Sequence, residues 1–118
     1  MKYLYIFIGG GLGSMSRFAI WRIFNYFNVQ FPFGTLTANV ISCFVLGYLI
    51  GIQLRTGFSD NLRLLLMVGF CGGFSTFSTF GSETFLMFEE GQIFNAAIYI
   101  LASLLLCWLF IFLGIKLA

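Results

Sequence analysis

Between Gly72 and Ser82 the chain reads Gly-Gly-Phe-Ser-Thr-Phe-Ser-Thr-Phe-Gly-Ser, with eight of the eleven positions Gly, Ser or Thr and the other three Phe74, Phe77 and Phe80. The stretch lies inside a long apolar segment, where an uninterrupted lipid-facing helix has no use for such a composition. Glycine is a poor residue for a helix interior, and the tandem Gly72-Gly73 invites local unwinding. Broken backbone at membrane depth is tolerated only where it is packed in protein or lines a polar cavity. Carbonyls freed in such a break can coordinate a cation, and hydroxyls can replace part of an ion's hydration shell. The same composition also suits a tightly packed helix crossing whose Ser and Thr side chains bond back to their own carbonyls. The placement of the rings favours ion chemistry. Phe77 and Phe80 are three apart and share a helical face. An aromatic ring has an electropositive edge, so rings met edge-on can stabilise an anion without holding it as tightly as a full charge would. A channel needs that compromise, because the ion must also leave.

Other polar residues in apolar surroundings are candidates for the same path. Asn39 falls in the first third of a second apolar segment, and its amide can donate two hydrogen bonds. It suits either an anion or a structural bond between helices. Asn95, Tyr99, Ser103 and Cys107 recur every four residues, forming one slowly drifting polar stripe. The stripe could hydrate a pore wall or join two helices. Glu83 lies one turn beyond Thr79, where an unpaired charge is expensive, and Arg17 sits past the middle of the first segment. Arg22 beside Trp21, Lys2 and Lys116 read as interfacial anchors.

These residues need helices to position them. Of 118 residues, 60% are hydrophobic and 8% charged, against about 25% charged in a soluble domain. Spanning about 30 Å of hydrocarbon takes around 20 helical residues. Four segments reach that length, at approximately 3–27, 33–53, 62–88 and 92–117, within a single transmembrane domain covering 1–118. The fold class expected is an all-α integral membrane protein with four transmembrane helices, the third broken near its middle. Alternating short strands, which a barrel requires, do not occur. Pro32, the only proline, precedes the second segment and suits the first helical turn. The first apolar stretch runs past twenty residues without a small-residue cleavage site, so the first helix is expected to remain in the mature protein.

Pairs of glycines four apart (Gly9 and Gly13, Gly47 and Gly51, Gly69 and Gly73) predict close helix crossings in lipid. Lys2, Arg55, Arg63 and Lys116 share one side of the membrane, which weakly favours cytoplasmic termini; Arg17 and Arg22 pull the other way, and dual topology remains open. Four short helices make a thin bundle, and an ion path through it points to a second copy.

The net charge of +2, with no basic run, argues against nucleic acid as a partner. Histidine is absent, removing the commonest general base and metal ligand. Cys43, Cys71 and Cys107 read as small buried hydrophobes rather than a disulfide framework or metal site.

At this point the chain resembles the Fluc or CrcB family of fluoride channels along nearly its whole length. The resemblance rests on Gly9-Gly10 with Gly13 and Arg17, on Pro32-Phe-Gly34-Thr35 leading to Asn39, and on Gly47. Above all it rests on Gly72-Gly73-Phe74-Ser75-Thr76-Phe77-Ser78-Thr79-Phe80 with Glu83. It implies an antiparallel, dual-topology dimer in the cell membrane, with two narrow fluoride pores along the dimer interface. The partner is a second copy of the chain or an oppositely inserted paralogue. Phe77 and Phe80 match the pore-facing rings, and Asn39 matches the asparagine pointing into the pore. Tyr99, Ser103, Ser78 and Thr79 match a polar track. Gly72 and Ser75 match positions whose carbonyls, two from each subunit, hold a structural sodium ion at the dimer centre. Such a buried cation also raises the local potential for anions. Two positions depart from the pattern: Cys107 stands where a hydroxyl residue is expected, and Ser75 where threonine is common.

The function expected is passive export of fluoride from the cytoplasm, which lowers fluoride toxicity. No Gly-rich, Lys-containing nucleotide loop is present, consistent with passive flow. A four-helix proton-coupled drug exporter is a weaker reading, because it needs a carboxylate in the first helix and the first acid here is Asp60. A non-transporting assembly subunit, with Gly, Ser and Thr serving only packing, is the other alternative. An enzyme is least expected, since no nucleophile–base pairing can be named.

Overall fold

Pro32 caps the second helix from just outside it, at φ −77° and ψ 60°, where its missing N–H removes nothing from the helix. In the computed structural model, which describes residues 1–28 and 30–118, every regular element among the described residues is helical. The first helix spans Lys2–Tyr26, the second Phe33–Arg55, the third Asp60–Glu89 with one internal break, and the fourth Ile93–Leu117. Among the described residues three helices, the second to the fourth, are long and apolar enough to cross a membrane. The first has 25 residues, enough by length at about 1.5 Å per residue. Its glycines, serines and two arginines make it less apolar.

Side-chain contacts set the helix directions. Ser42, Asn39 and Thr35 of the second helix meet Cys71, Thr76 and Glu83 of the third in that order, so the two run antiparallel. The first and third helices run parallel. A Cβ on Gly9 would strike the Leu65 carbonyl, and one on Gly13 would strike the Phe70 carbonyl and lie 2.7 Å from the Phe74 amide nitrogen. The second and fourth helices are parallel too, with Gly47 against Ile111 and Gly51 against Ile115. The predicted glycine crossings therefore form, and each joins backbone to backbone. Gly114 completes the second crossing against Phe44 and Tyr48, although its spacing had not marked it.

The third helix is where sequence and structure differ. Leu64–Cys71 is a π-helix, and Gly72–Phe74 continues it as α-helix. The tandem glycines therefore do not unwind; Gly72 has ordinary helical angles of φ −64° and ψ −35°. The break falls one turn later, at Ser75 (ψ 155°) and Thr76 (φ −148°, ψ 122°), after which Phe77–Glu89 resumes the helix. Packing explains the shift. A Cβ on Gly73 would strike the Gly10 backbone, so this glycine serves close approach to the first helix, whereas Gly72 meets nothing within 4 Å. The break sits where polar groups can satisfy it.

Candidate functional site

The break leaves backbone groups without helical partners, and each such group inside a membrane must find another. Thr76 begins the repair. Its hydroxyl accepts from the Thr79 amide at 3.2 Å, capping the resumed helix as Ser and Thr do at N-termini. Asn39, buried on the second helix, grips Thr76 from across the bundle. The Thr76 N–H donates to its Oδ1 at 2.8 Å, and its Nδ2 donates to the Thr76 carbonyl at 3.3 Å. In an unbroken helix that N–H would bond the Gly72 carbonyl. The Cys71 carbonyl accepts from the Ser75 N–H and from the hydroxyls of Ser75 and Ser42. Arg17 donates from Nε to the Gly73 carbonyl at 3.1 Å. Its charge thus meets the carbonyl end of the first half-helix, where a cation is stabilised.

The half-helix after the break presents the rings. Phe77 and Phe80 lie with centroids 5.7 Å apart on one face. Phe80 packs on Tyr99 at 5.1 Å, whereas Phe77 is 82% exposed in the single chain. Beside them runs a groove of about 320 Å³ lined by Asn39, Ser75, Phe77, Phe80, Ser103 and Cys107, among others. Ser103 is 7% exposed, and its hydroxyl has no hydrogen-bond partner. A buried hydroxyl left unpaired costs free energy, and this one lies in the groove wall with its oxygen sealed from solvent in the single chain. Ring edges, an amide and a free hydroxyl together suit a small anion that has shed its water.

The remaining candidates lie around this groove. Thr79 faces a second cavity with Arg17, Thr35 and Thr76, while Ser78 is exposed and its hydroxyl pairs with that of Thr76 at 3.2 Å. Tyr99, fully buried, donates to Glu83 Oε1 at 3.0 Å, and Thr35 donates to the other carboxylate oxygen at 3.1 Å. Glu83 therefore has a hydroxyl donor on each carboxylate oxygen and no cation within ion-pair distance; the ion pair among the described residues is Arg63 with Asp60 at 3.5 Å. A larger cavity of about 430 Å³ opens from one end of the bundle onto Glu83 and Thr35. The polar stripe of the fourth helix divides. Asn95 is exposed, Tyr99 serves Glu83, Ser103 faces the groove, and Cys107 lines the groove with Cys43. The roles of Thr35 and Ser42 escaped the sequence reading, although Thr35, Asn39 and Ser42 at i, i+4 and i+7 mark one polar face toward the third helix.

Residues 4–115 match the family described as CrcB-like protein, Camphor Resistance (CrcB). The chain belongs to that family. It is 45% identical over 117 residues to a Pyrococcus abyssi protein named fluoride-specific ion channel FluC, covering 98% of this chain and 94% of that one. A Geotalea uraniireducens protein of the same name is 39% identical, again covering 98% and 94%. One from Pyrococcus horikoshii is 44% identical and covers 96% and 92%. Within this CrcB-family chain, the two departures noted above fall on either side of one groove. Ser75 keeps its hydroxyl bonded to its own helix, and Cys107 brings a thiol to the opposite wall.

Proposed function

We propose that this chain is one half of a passive, fluoride-selective channel that lets fluoride leave the cytoplasm down its electrochemical gradient. The observation that carries this reading is the groove beside the broken third helix, where Phe77 and Phe80, the Asn39 amide and the unpartnered Ser103 hydroxyl converge. The names of the relatives agree with it. Fluoride enters a cell as neutral HF, dissociates at neutral pH, and is then driven out by the inside-negative potential with about 2.3 kcal/mol per 100 mV.

In this reading all four helices span the cell membrane, the first held among the others by its glycine contacts with the third. Two copies, or this chain and an oppositely inserted paralogue, pair antiparallel and enclose the pores between them. Two features of the single chain support a second copy: Phe77 is exposed beside the groove, and Gly72 is exposed with open space around it. A structural sodium ion at the dimer centre, held by the Gly72 and Ser75 carbonyls of both subunits, fits the chemistry of the break. The Thr76 amide that would cover the Gly72 carbonyl is engaged by Asn39, and carbonyl oxygens suit a hard cation. Ser78, Thr79, Tyr99 and Ser103 then form the walls of the path, with Arg17 and Glu83 as buried polar groups beside it.

The test is fluoride efflux from liposomes containing the purified protein. Efflux far faster than from empty liposomes, with chloride retained, is expected; efflux equal to that of empty liposomes overturns the reading.

A further inference from the structure

Cys43 and Cys107 belong to neither the ring face nor the break, yet both line the groove that holds Asn39, Phe80 and Ser103. Their helices are locked together one turn away, where Gly47 lies against the Ile111 backbone with no room for a Cβ. Parallel helices joined at the pair 47/111 bring 43 and 107 opposite each other one turn away, and both side chains line the same groove. Both residues are free thiols, half-buried and reachable from the groove. Ser103, one turn before Cys107 on the same face, adds a buried hydroxyl with no partner. Cys71, the third thiol, is buried and lines none of these cavities.

We propose that Cys43 and Cys107 form a two-thiol site for a soft, thiophilic cation that accepts linear coordination, with mercury(II) as its probe, entered from the groove. Soft thiolates select soft metals. Zinc would need about four ligands in a tetrahedron, and the described residues hold no cluster of three His, Cys, Asp or Glu groups. Two sulfurs suffice for a linear ion. Binding replaces two S–H bonds by two Hg–S bonds and releases two protons to water, with no change of oxidation state. Because the glycine contact holds the helices together, closing the second Hg–S bond is intramolecular, and this gives the pair its advantage over any single thiol. The bound ion occupies the groove opposite Phe80 and Ser103. If that groove carries fluoride, as proposed above, mercury blocks the flux.

Retention is measured on the purified protein, so it does not depend on transport. After loading with mercury(II) and washing with excess monothiol, the wild-type chain is expected to retain one mercury per chain, and Cys71→Ser to do the same. Cys43→Ser and Cys107→Ser are expected to retain at least tenfold less, with Cys43→Ala and Cys107→Ala as second variants should either serine disturb folding. Loss of mercury from the wild type, or wild-type retention by either single variant, overturns the site. In liposomes, mercury is expected to slow wild-type efflux at least tenfold, with recovery on adding a dithiol. Retained mercury with unchanged efflux would uphold the site and overturn the assignment of the groove as the fluoride path.

Discussion

Asn39 holds Thr76 by both ends of its amide, accepting from the Thr76 N–H at 2.8 Å and donating to the Thr76 carbonyl at 3.3 Å. One side chain thereby replaces the backbone partner that the break takes from the Thr76 N–H and adds a second bond at its carbonyl, and it does so from the wall of the groove. Asn39→Ala would leave the Thr76 N–H unpaired, at about 1–3 kcal/mol for a buried group. The expected result is a lower unfolding temperature in detergent together with at least tenfold slower fluoride efflux. Unchanged stability would show that the break does not depend on this residue.

The two rings differ in what they support. Phe77 is exposed in the chain, whereas Phe80 packs on Tyr99. Both Phe77→Ile and Phe80→Ile remove the electropositive edge and are expected to abolish efflux while eluting like the wild type in size-exclusion chromatography. Phe80→Ile should also cost about 1 kcal/mol through its lost aromatic pair. Normal efflux in both variants would refute the role of the ring edges.

Glycine positions that look alike in sequence should separate by contact. Gly13→Val places a Cβ against the Phe70 carbonyl and 2.7 Å from the Phe74 nitrogen, so it forces the first and third helices apart. A loss of about 3 kcal/mol is expected, the upper end of overpacking. Gly11→Ala meets nothing within 4 Å and should be neutral or stabilising by about 0.5–1 kcal/mol through helix propensity. Unfolding in graded denaturing detergent compares the two.

Glu83 rests on two hydroxyls from two other helices, Thr35 and Tyr99. Tyr99→Phe or Thr35→Val removes one donor each, at about 1–2 kcal/mol. Because both serve one carboxylate, the double variant should depart from the sum of the singles. Strict additivity would indicate that the shared carboxylate does not couple them.

The helical class and the presence of a break in the third helix are both legible in the residues. Each depends on local content: apolar length, turn residues, and the density of Gly, Ser and Thr around Phe77 and Phe80. The glycine spacing likewise marked which helix faces would crowd together. The position of the break was less legible, because Gly73 serves packing against Gly10 and the unwinding waits for Asn39 to supply partners at Thr76.

Only the tertiary structure decided which polar groups meet. A helix in lipid is apolar on most of its faces, so the polar–apolar contrast that would give its rotation in a soluble protein is weak. Axial register is equally free until backbones touch, as Gly9 with Leu65 and Gly47 with Ile111 do. The π-helix at Leu64–Cys71 adds a further turn of phase, since its wider i→i+5 bonding displaces later side chains from a 3.6-residue repeat. The residues of the groove were therefore named one by one in the sequence. Their convergence around Ser103, and the placing of Cys43 opposite Cys107, required the helices to be set in rotation and register.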